Sequence, residues 1–371
     1  MASPNYAALE QEILFATLGM FIIDDIHPLP PQPPQLNIIG GAGTYSALGA
    51  RLFWPPPNSW RIGWIVDEGD DFPSEVREEV DKWQTGCRFR KRKGLTTRGW
   101  NGYTEEGIRE FRYTTPKLRL DASDLSPDLL ASRSFHFICS SERCISMTQN
   151  ILSSRSTSFD VPPPRPILIW EPVPDLCVPS ELETCKRACK TVDVISPNDS
   201  ELLSFFERAK VYGEDRWRAV ERCAEELLRD GVGVEGKGSV IVRAGKEGCY
   251  VATLDLNSKV GSKWLPAYHK DASRVLDPTG GGNAFLGGFA VGLLGTREKD
   301  ELKKLVEAAA YGSVAASLCI EQVGVPKREK GWQESETRWQ TGDTGWQEVE
   351  TWNGIDVKQR LKEFKSMIVG N

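Results

Sequence analysis

Short, continuously apolar runs alternate with longer stretches of helical periodicity along most of the chain. The runs lie at residues 135–139, 167–170, 192–196 and 239–244, and the helical stretches at 201–209, 217–229, 283–294 and 302–319. A strand that is apolar at every position is buried on both faces. Strand–helix alternation of this kind predicts a mostly parallel sheet covered on both sides. Nearer the start, residues 13–23 read as one strand ending at Asp24 and Asp25, and residues 28–34 are a proline-rich connector. Ile38 and Ile39 lead into Gly40, Gly41, Ala42 and Gly43, then into a helix over 45–53. Residues 62–66 form a short strand stopping at Asp67. Residues 87–120 are rich in Arg, Lys and Thr with alternating aromatics, which predicts exposed strands rather than core. The tail from 326 to 371 interleaves Trp332, Trp339, Trp346 and Trp352 with polar residues at spacings of seven, seven and six. It predicts a hairpin or flap packing Trp rings on the domain, followed by a short amphipathic helix over 357–368. No repeat with a fixed period occurs.

Composition narrows the function classes. Among 371 residues, 40% are hydrophobic and 26% charged, as in ordinary globular chains. The net charge of −6 argues against a general nucleic-acid or membrane-surface binder, so neither is expected as a partner. No apolar run approaches the roughly 18 residues of a membrane-spanning helix. Residues 1–12 lack the basic and apolar regions of a signal peptide. The nine cysteines are odd in number and scattered, without a Cys-x-x-Cys pair. Reduced thiols in a cytoplasmic protein fit that pattern. Cys185 and Cys189 share a helix face, but no histidine is near enough in sequence to complete a zinc site. His27, His136 and His269, the only histidines, read as structural.

The most informative segment runs from Val275 to Phe289 and contains Asp277-Pro278-Thr279-Gly280-Gly281-Gly282-Asn283. Glycine-rich backbone turns its N–H groups inward, and a helix N-terminus adds partial positive charge. Together they cradle an anion, most often a phosphate. The alternative is a glycine turn that merely caps a helix. The segment closely resembles the nucleotide-site signature of the PfkB (ribokinase-like) sugar and nucleoside kinases. That signature has an Asp, a Thr, a triplet of small residues and a catalytic Asp in this order. Asp277, Thr279, Gly280, Gly281 and Gly282 match; Asn283 stands where the family has its base.

Other segments appear in the family's order. Gly40-Gly41-Ala42-Gly43 resembles its N-terminal Gly-Gly signature for the sugar, with Tyr45 where Asn is usual. Taken alone, Gly41-x-Gly43-x-x-Ser46 also approaches a dinucleotide fingerprint, with Asp67 as ribose partner. The resemblance places an Asp at the end of the first strand to hold substrate hydroxyls, and Asp24 is preferred over Asp25. Glu171, in Trp170-Glu171-Pro172, stands where the family's strand ends in Asp-Pro. Asn198-Asp199-Ser200-Glu201 matches its Asn-x-x-Glu motif, which supports magnesium through water; it is equally a helix-entry sequence. Arg243-Ala244-Gly245-Lys246-Glu247-Gly248 resembles the nucleotide-side hairpin, with Arg243 able to reach a phosphate. Arg88, Arg90, Lys91, Arg92 and Lys93 form a basic cluster read as solvated lid strands.

The resemblance extends to a fungal, "maintenance of killer" Mak-type branch of the family. It implies a three-layer α/β/α sandwich with a mostly parallel central sheet and a small β lid. The kinase domain would span 13–325, with lid strands within 27–37 and 87–120, between an N-terminal extension (1–12) and a Trp-rich C-terminal extension (326–371). The implied reaction is transfer of phosphate from ATP, with Mg²⁺ and a monovalent cation, to a hydroxyl of a small sugar or nucleoside. The lid strands offer a route to oligomers. Asn283 leaves open a nucleotide-binding pseudokinase, and the Gly41 segment leaves open a Rossmann-type NAD(P)-dependent oxidoreductase.

Overall fold

The computed structural model describes residues 12–29, 31–103, 109–208, 211–255, 257–334 and 346–369. Trp339, and all of the N-terminal extension but Glu12, lie outside them. In chain order the elements are β1 (Phe15–Thr17), β2 (Ile22–His27), β3 (Gln35–Gly40), α1 (Ala42–Arg51), β4 (Ile62–Glu68), α2 (Ser74–Lys82), β5 (Gly86–Lys91), β6 (Arg98–Tyr103) and β7 (Arg109–Tyr113). There follow α3 (Pro127–Leu130), β8 (Ser134–Cys139), α4 (Ser141–Thr157), β9 (Ile167–Pro172), α5 (Leu182–Cys189), β10 (Val194–Ile195), α6 (Asp199–Phe205), α7 (Glu214–Asp230) and β11 (Ser239–Arg243). The last are β12 (Cys249–Leu254), β13 (Val260–Leu265), α8 (Gly281–Gly295), α9 (Glu301–Cys319), β14 (Arg328–Glu334), β15 (Trp346–Trp352) and α10 (Val357–Val369).

The main sheet has nine strands in the order β13-β12-β11-β10-β9-β8-β1-β4-β5. From β5 to β11 every pairing is parallel; β12 and β13 close the other edge as an antiparallel meander. Alternate strand residues feed two cores. Phe15, Trp64, Ile169 and Ile241 meet α1, α8 and α9 on one face. Ala16, Ile65, Leu168, Trp170 and Val240 meet α4, α5, α6 and α7 on the other. This is why the strands read as apolar throughout: both faces are covered.

A second sheet, in the order β3-β2-β6-β7, is the lid. It corrects two readings. Residues 13–23 are two strands, not one, because the chain breaks at Gly19. A Cβ there would lie 2.7 Å from Gly43 Cα, so the start of α1 wedges the run apart. Asp24 and Asp25 consequently lie inside β2 of the lid rather than at the end of a core strand. The lid also excludes residues 87–91, which form most of β5 and pair with β4 at the edge of the main sheet. The basic residues there are matched by carboxylates from distant segments: Arg88 by Asp128, Arg90 by Asp67 and Asp124, and Lys91 by Glu68.

Helix α8 is apolar all round and sits between α1 and α9. Glycine permits the close crossing with α1. A Cβ on Gly49 would overlap the backbone of Ala284, and one on Gly287 the backbone of Ser46. The crossing fixes where the first turn of α8 lies. The C-terminal segment packs into the same core. β14 and β15 form an antiparallel hairpin, Trp352 is fully buried, and Val357, Leu361, Phe364 and Ile368 line the inner face of α10. Buried Arg51 clasps the hairpin through a two-pronged pair with Glu350 at 2.7 and 2.6 Å. All nine cysteines are free thiols, eight of them buried. Among the described residues no helix is long and apolar enough to cross a membrane.

Candidate active site

The site lies where parallel strands end and α8 begins, the usual ligand position in an open α/β sheet. Gly280 is the N-cap of α8 with φ 77° and ψ −11°, a left-handed conformation that suits glycine. Its tight approach to the Tyr45 ring also excludes a side chain. The loop before it is fixed at both ends. Leu276 N–H donates to Ile320 O at the end of α9 (2.8 Å), and Asp277 Oδ1 accepts the N–H of Thr279 (2.9 Å). Gly281, Gly282 and Asn283 make the first turn of α8, whose N–H groups have no partner within the helix; that of Gly281 donates to Pro278 O at 3.2 Å. Beside them a cavity of about 690 Å³ is bounded by Gly245 and Gly248 of the β11–β12 hairpin, Pro278, Gly281, Gly282 and Ser317.

A buried polar chain crosses the strand ends next to this turn. Thr17 Oγ1 and His136 Nδ1 are 3.0 Å apart, and His136 Nε2 lies 3.2 Å from Glu171 Oε2. The same carboxylate oxygen accepts from the Asn283 amide at 2.7 Å. Arg243 pairs with Glu171 Oε1 at 2.9 Å, donates to Ser196 O at 2.9 Å, and approaches Glu201 at 3.6 Å. Its guanidinium lies over the glycine turn, so a Cβ on Gly282 would collide with Arg243 Nη1. Strand register explains the assembly: Thr17 of β1 is level with His136 of β8, and Glu171 sits at the end of neighbouring β9.

The two glutamates are tuned in opposite directions. Burial pushes Glu171 up, but Arg243, His136 and Asn283 outweigh it and hold the carboxyl below its ordinary range. Burial raises Glu201 to about 7, with Arg243 and the Asn198 N–H opposing only in part. Asn198 and Glu201 form a reciprocal cap on α6. Asn198 Oδ1 accepts the Glu201 N–H at 2.8 Å, while Glu201 accepts the backbone and amide N–H groups of Asn198, both at 2.7 Å. These oxygens are engaged, and a guanidinium faces them. The pair therefore does not fit the role of direct ligands to a divalent ion in this arrangement. Among the described residues no group of three or more His, Cys, Asp or Glu is placed to hold a metal.

A model of the "pfkB family carbohydrate kinase" matches residues 171–328. Protein MAK32 of Saccharomyces cerevisiae is 34% identical, over 96% of this chain and 93% of the relative. The chain belongs to the pfkB family of carbohydrate kinases. Solved structures support the fold. Ribokinase from Giardia lamblia superposes with TM-score 0.62 at 16% identity, over 85% of this chain and 96% of that one. Adenosine kinase from Sinorhizobium meliloti gives 0.62 at 18%, over 85% and 95%. The pfkB fold removes the dinucleotide reading of Gly41–Ser46. That turn follows a lid strand antiparallel to its neighbour rather than opening a βαβ unit, and Asp67 is held by Arg90.

The candidate site residues expected from the sequence fall into two groups. Glu171, Asn198, Glu201, Arg243, Gly245, Gly248 and the Asp277–Asn283 turn gather around the cradle. Asp24, Gly40 and Gly41 lie at the lid. The Asp24 carboxylate is buried between Gly40 and Gly99 and accepts from the Asn101 amide at 3.0 Å. Tyr45 is also buried and lays its ring against Gly280, bridging the two groups. A second cavity of about 530 Å³ opens under the lid, lined in part by Leu18, Ile22, Tyr113, Phe137, Ser140 and Asp175. Sequence reasoning assigned His136 to structure alone and passed over Thr17. The available signal was a histidine inside a continuously apolar strand, where a buried polar ring needs a partner.

Proposed function

We propose that this protein transfers a phosphoryl group from ATP to a hydroxyl of a sugar or nucleoside. The observation that carries the proposal is the left-handed Gly280 start of α8 beside the 690 Å³ cavity. There, helix N–H groups and Arg243 converge where a transferring phosphate needs donors. The acceptor would enter from the lid side, near Asp24, Gly40, Gly41 and Tyr45. Asp277 and Thr279 would hold the loop, and Gly245 and Gly248 would let the hairpin backbone border the nucleotide. We further propose a cytoplasmic location, in keeping with the free thiols, and an oligomer formed through lid-edge strands β3 and β7.

Asn283 defines the chemistry. Its Nδ2 is tied to Glu171, so its Oδ1 is left to accept from an incoming hydroxyl. The amide positions that hydroxyl but does not take its proton. Loss of a general base lowers rate by roughly 10²–10⁴. Phosphoryl transfer tolerates part of this, because its loose transition state depends mainly on positioning and charge stabilisation. The same residue favours a second reading, a nucleotide-binding pseudokinase acting through partners. ADP release measured against a library of sugars and nucleosides separates the two. Acceptor-dependent ADP release supports the kinase. ATP binding without ADP release on any acceptor supports the pseudokinase.

A further inference from the structure

The Asn198–Glu201 pair is closed by its own cap, and a guanidinium stands where an open metal-binding pair would face the phosphates. We propose that Arg243 takes over the charge-neutralising position that a protein-supported divalent cation would hold at the cradle, so that nucleotide binds this protein with little dependence on Mg²⁺. This rests on the nucleotide reading above and goes beyond it.

Three features of Arg243 support the exchange. First, it is placed on the cradle itself, its Nη1 lying over Gly282 where a Cβ would meet it. Second, it is pre-positioned. Strand β11 ends at Arg243, whose N–H donates to Pro197 O at 3.0 Å, and its Nη2 donates to Ser196 O. Third, its hydrogen-bonding capacity is not exhausted. Nε is buried and has no protein partner, and Nη2 is 3.6 Å from Glu201, beyond a good hydrogen bond. A guanidinium offers five N–H donors in a fixed fork that suits phosphate oxygens, and it carries its charge at every working pH. With Glu171 and Glu201 behind it, the group is balanced without ligand. It needs only a small shift to place donors on a phosphate in front.

The test is ATP titration by calorimetry on the full chain, once with Mg²⁺ and once with EDTA in place of the metal. The proposal expects the two affinities of the unmodified protein to agree within about threefold. Arg243→Thr should lose about 10- to 100-fold in metal-free affinity, the equivalent of one or two charge-assisted hydrogen bonds, and recover part of it with Mg²⁺. Arg243→Lys, which keeps the charge on a buried site, should fall between the two and serves if the Thr variant does not fold. Binding that requires Mg²⁺ in the unmodified protein overturns the proposal while leaving the kinase reading intact. So does metal-free binding that survives Arg243→Thr unchanged. Absence of ATP binding under either condition overturns both.

Discussion

Replacing Asn283 by Asp restores the family's usual base, and its cost can be worked from the contacts around it. Asn283 Nδ2 donates to Glu171 Oε2 at 2.7 Å, so the substitution puts a second carboxylate oxygen against the first. Two unit charges about 3 Å apart repel by about 5 kcal/mol at an effective dielectric near 20. The lost charge-assisted hydrogen bond adds about 1.5–3 kcal/mol. Arg243 at 2.9 Å softens the repulsion, and the α8 N-terminus returns up to about 1 kcal/mol to a carboxylate. The pair escapes the remainder by sharing one proton, as paired carboxylates do. The folded variant then binds a proton that its unfolded chain has released, so its stability falls as pH rises. Chemical denaturation of both proteins from pH 5 to pH 8 measures this. We expect the variant to lose about 1 kcal/mol at pH 5 and about 3–5 kcal/mol at pH 8, a slope of up to about 1.4 kcal/mol per pH unit. Adding Glu171→Gln should remove the slope, because an amide again faces a carboxylate. A difference that stays constant across this range, or that is below about 0.5 kcal/mol at pH 8, would refute the Asn283–Glu171 contact as drawn. The catalytic corollary is that any gain in kcat from Asn283→Asp should titrate near neutrality rather than near pH 4.

Other perturbations have equally definite outcomes. Glu350→Gln leaves Arg51, which is fully buried, without its counter-charge, and should cost about 3–5 kcal/mol in denaturation, whereas a loss below about 1 kcal/mol would show the hairpin clasp to be idle. Burial pushes Glu350 up, but Arg51 and Arg328 hold its folded-state carboxyl below the ordinary range, so its stabilisation is present above about pH 4.5 and is lost as pH falls through the lowered value; acid titration of the unmodified protein against Glu350→Gln reads that difference. Gly280→Ala combines a strained left-handed residue with collision against the Tyr45 ring, and should cost more than about 2 kcal/mol and abolish ATP binding. The lid strands β2, β3, β6 and β7 should be cleaved by protease more readily without ligand than with nucleotide and acceptor; equal cleavage would count against a lid that moves.

The main sheet was legible because its strands are buried on both faces, which leaves an apolar signature that needs no knowledge of neighbours. The start of α8 was legible because the Gly280–Gly282 triplet directly precedes an apolar helical run. Contacts remote in sequence were not legible. Gly19 breaks an apolar run only because α1 packs on it, and nothing in residues 13–23 announces that. Arg88 and Arg90 looked solvated because Asp128, Asp124 and Asp67 come from other segments, whereas Lys91 is indeed exposed. The Asn198–Glu201 spacing fitted both a helix cap and a metal relay. The structure forms the cap, and the approach of Arg243 to Glu201, set by strand β11 lying beside β10, is not written in that spacing. The Thr17–His136–Glu171–Asn283 chain depends on the order of three strands in the sheet, which local sequence does not encode.

The central claim, that the Gly280–Gly282 turn holds the phosphates of ATP, is tested most directly by calorimetric titration of ATP into the unmodified protein and into Gly281→Asp. The variant adds a carboxylate to the cavity lining, its Cβ displacing the Ile320 side chain that lies 2.7 Å away. We predict saturable binding to the first and none to the second, with both retaining the same far-ultraviolet circular dichroism. Equal ATP binding by the two proteins, or binding of NADH in place of ATP by the unmodified chain, would contradict the account.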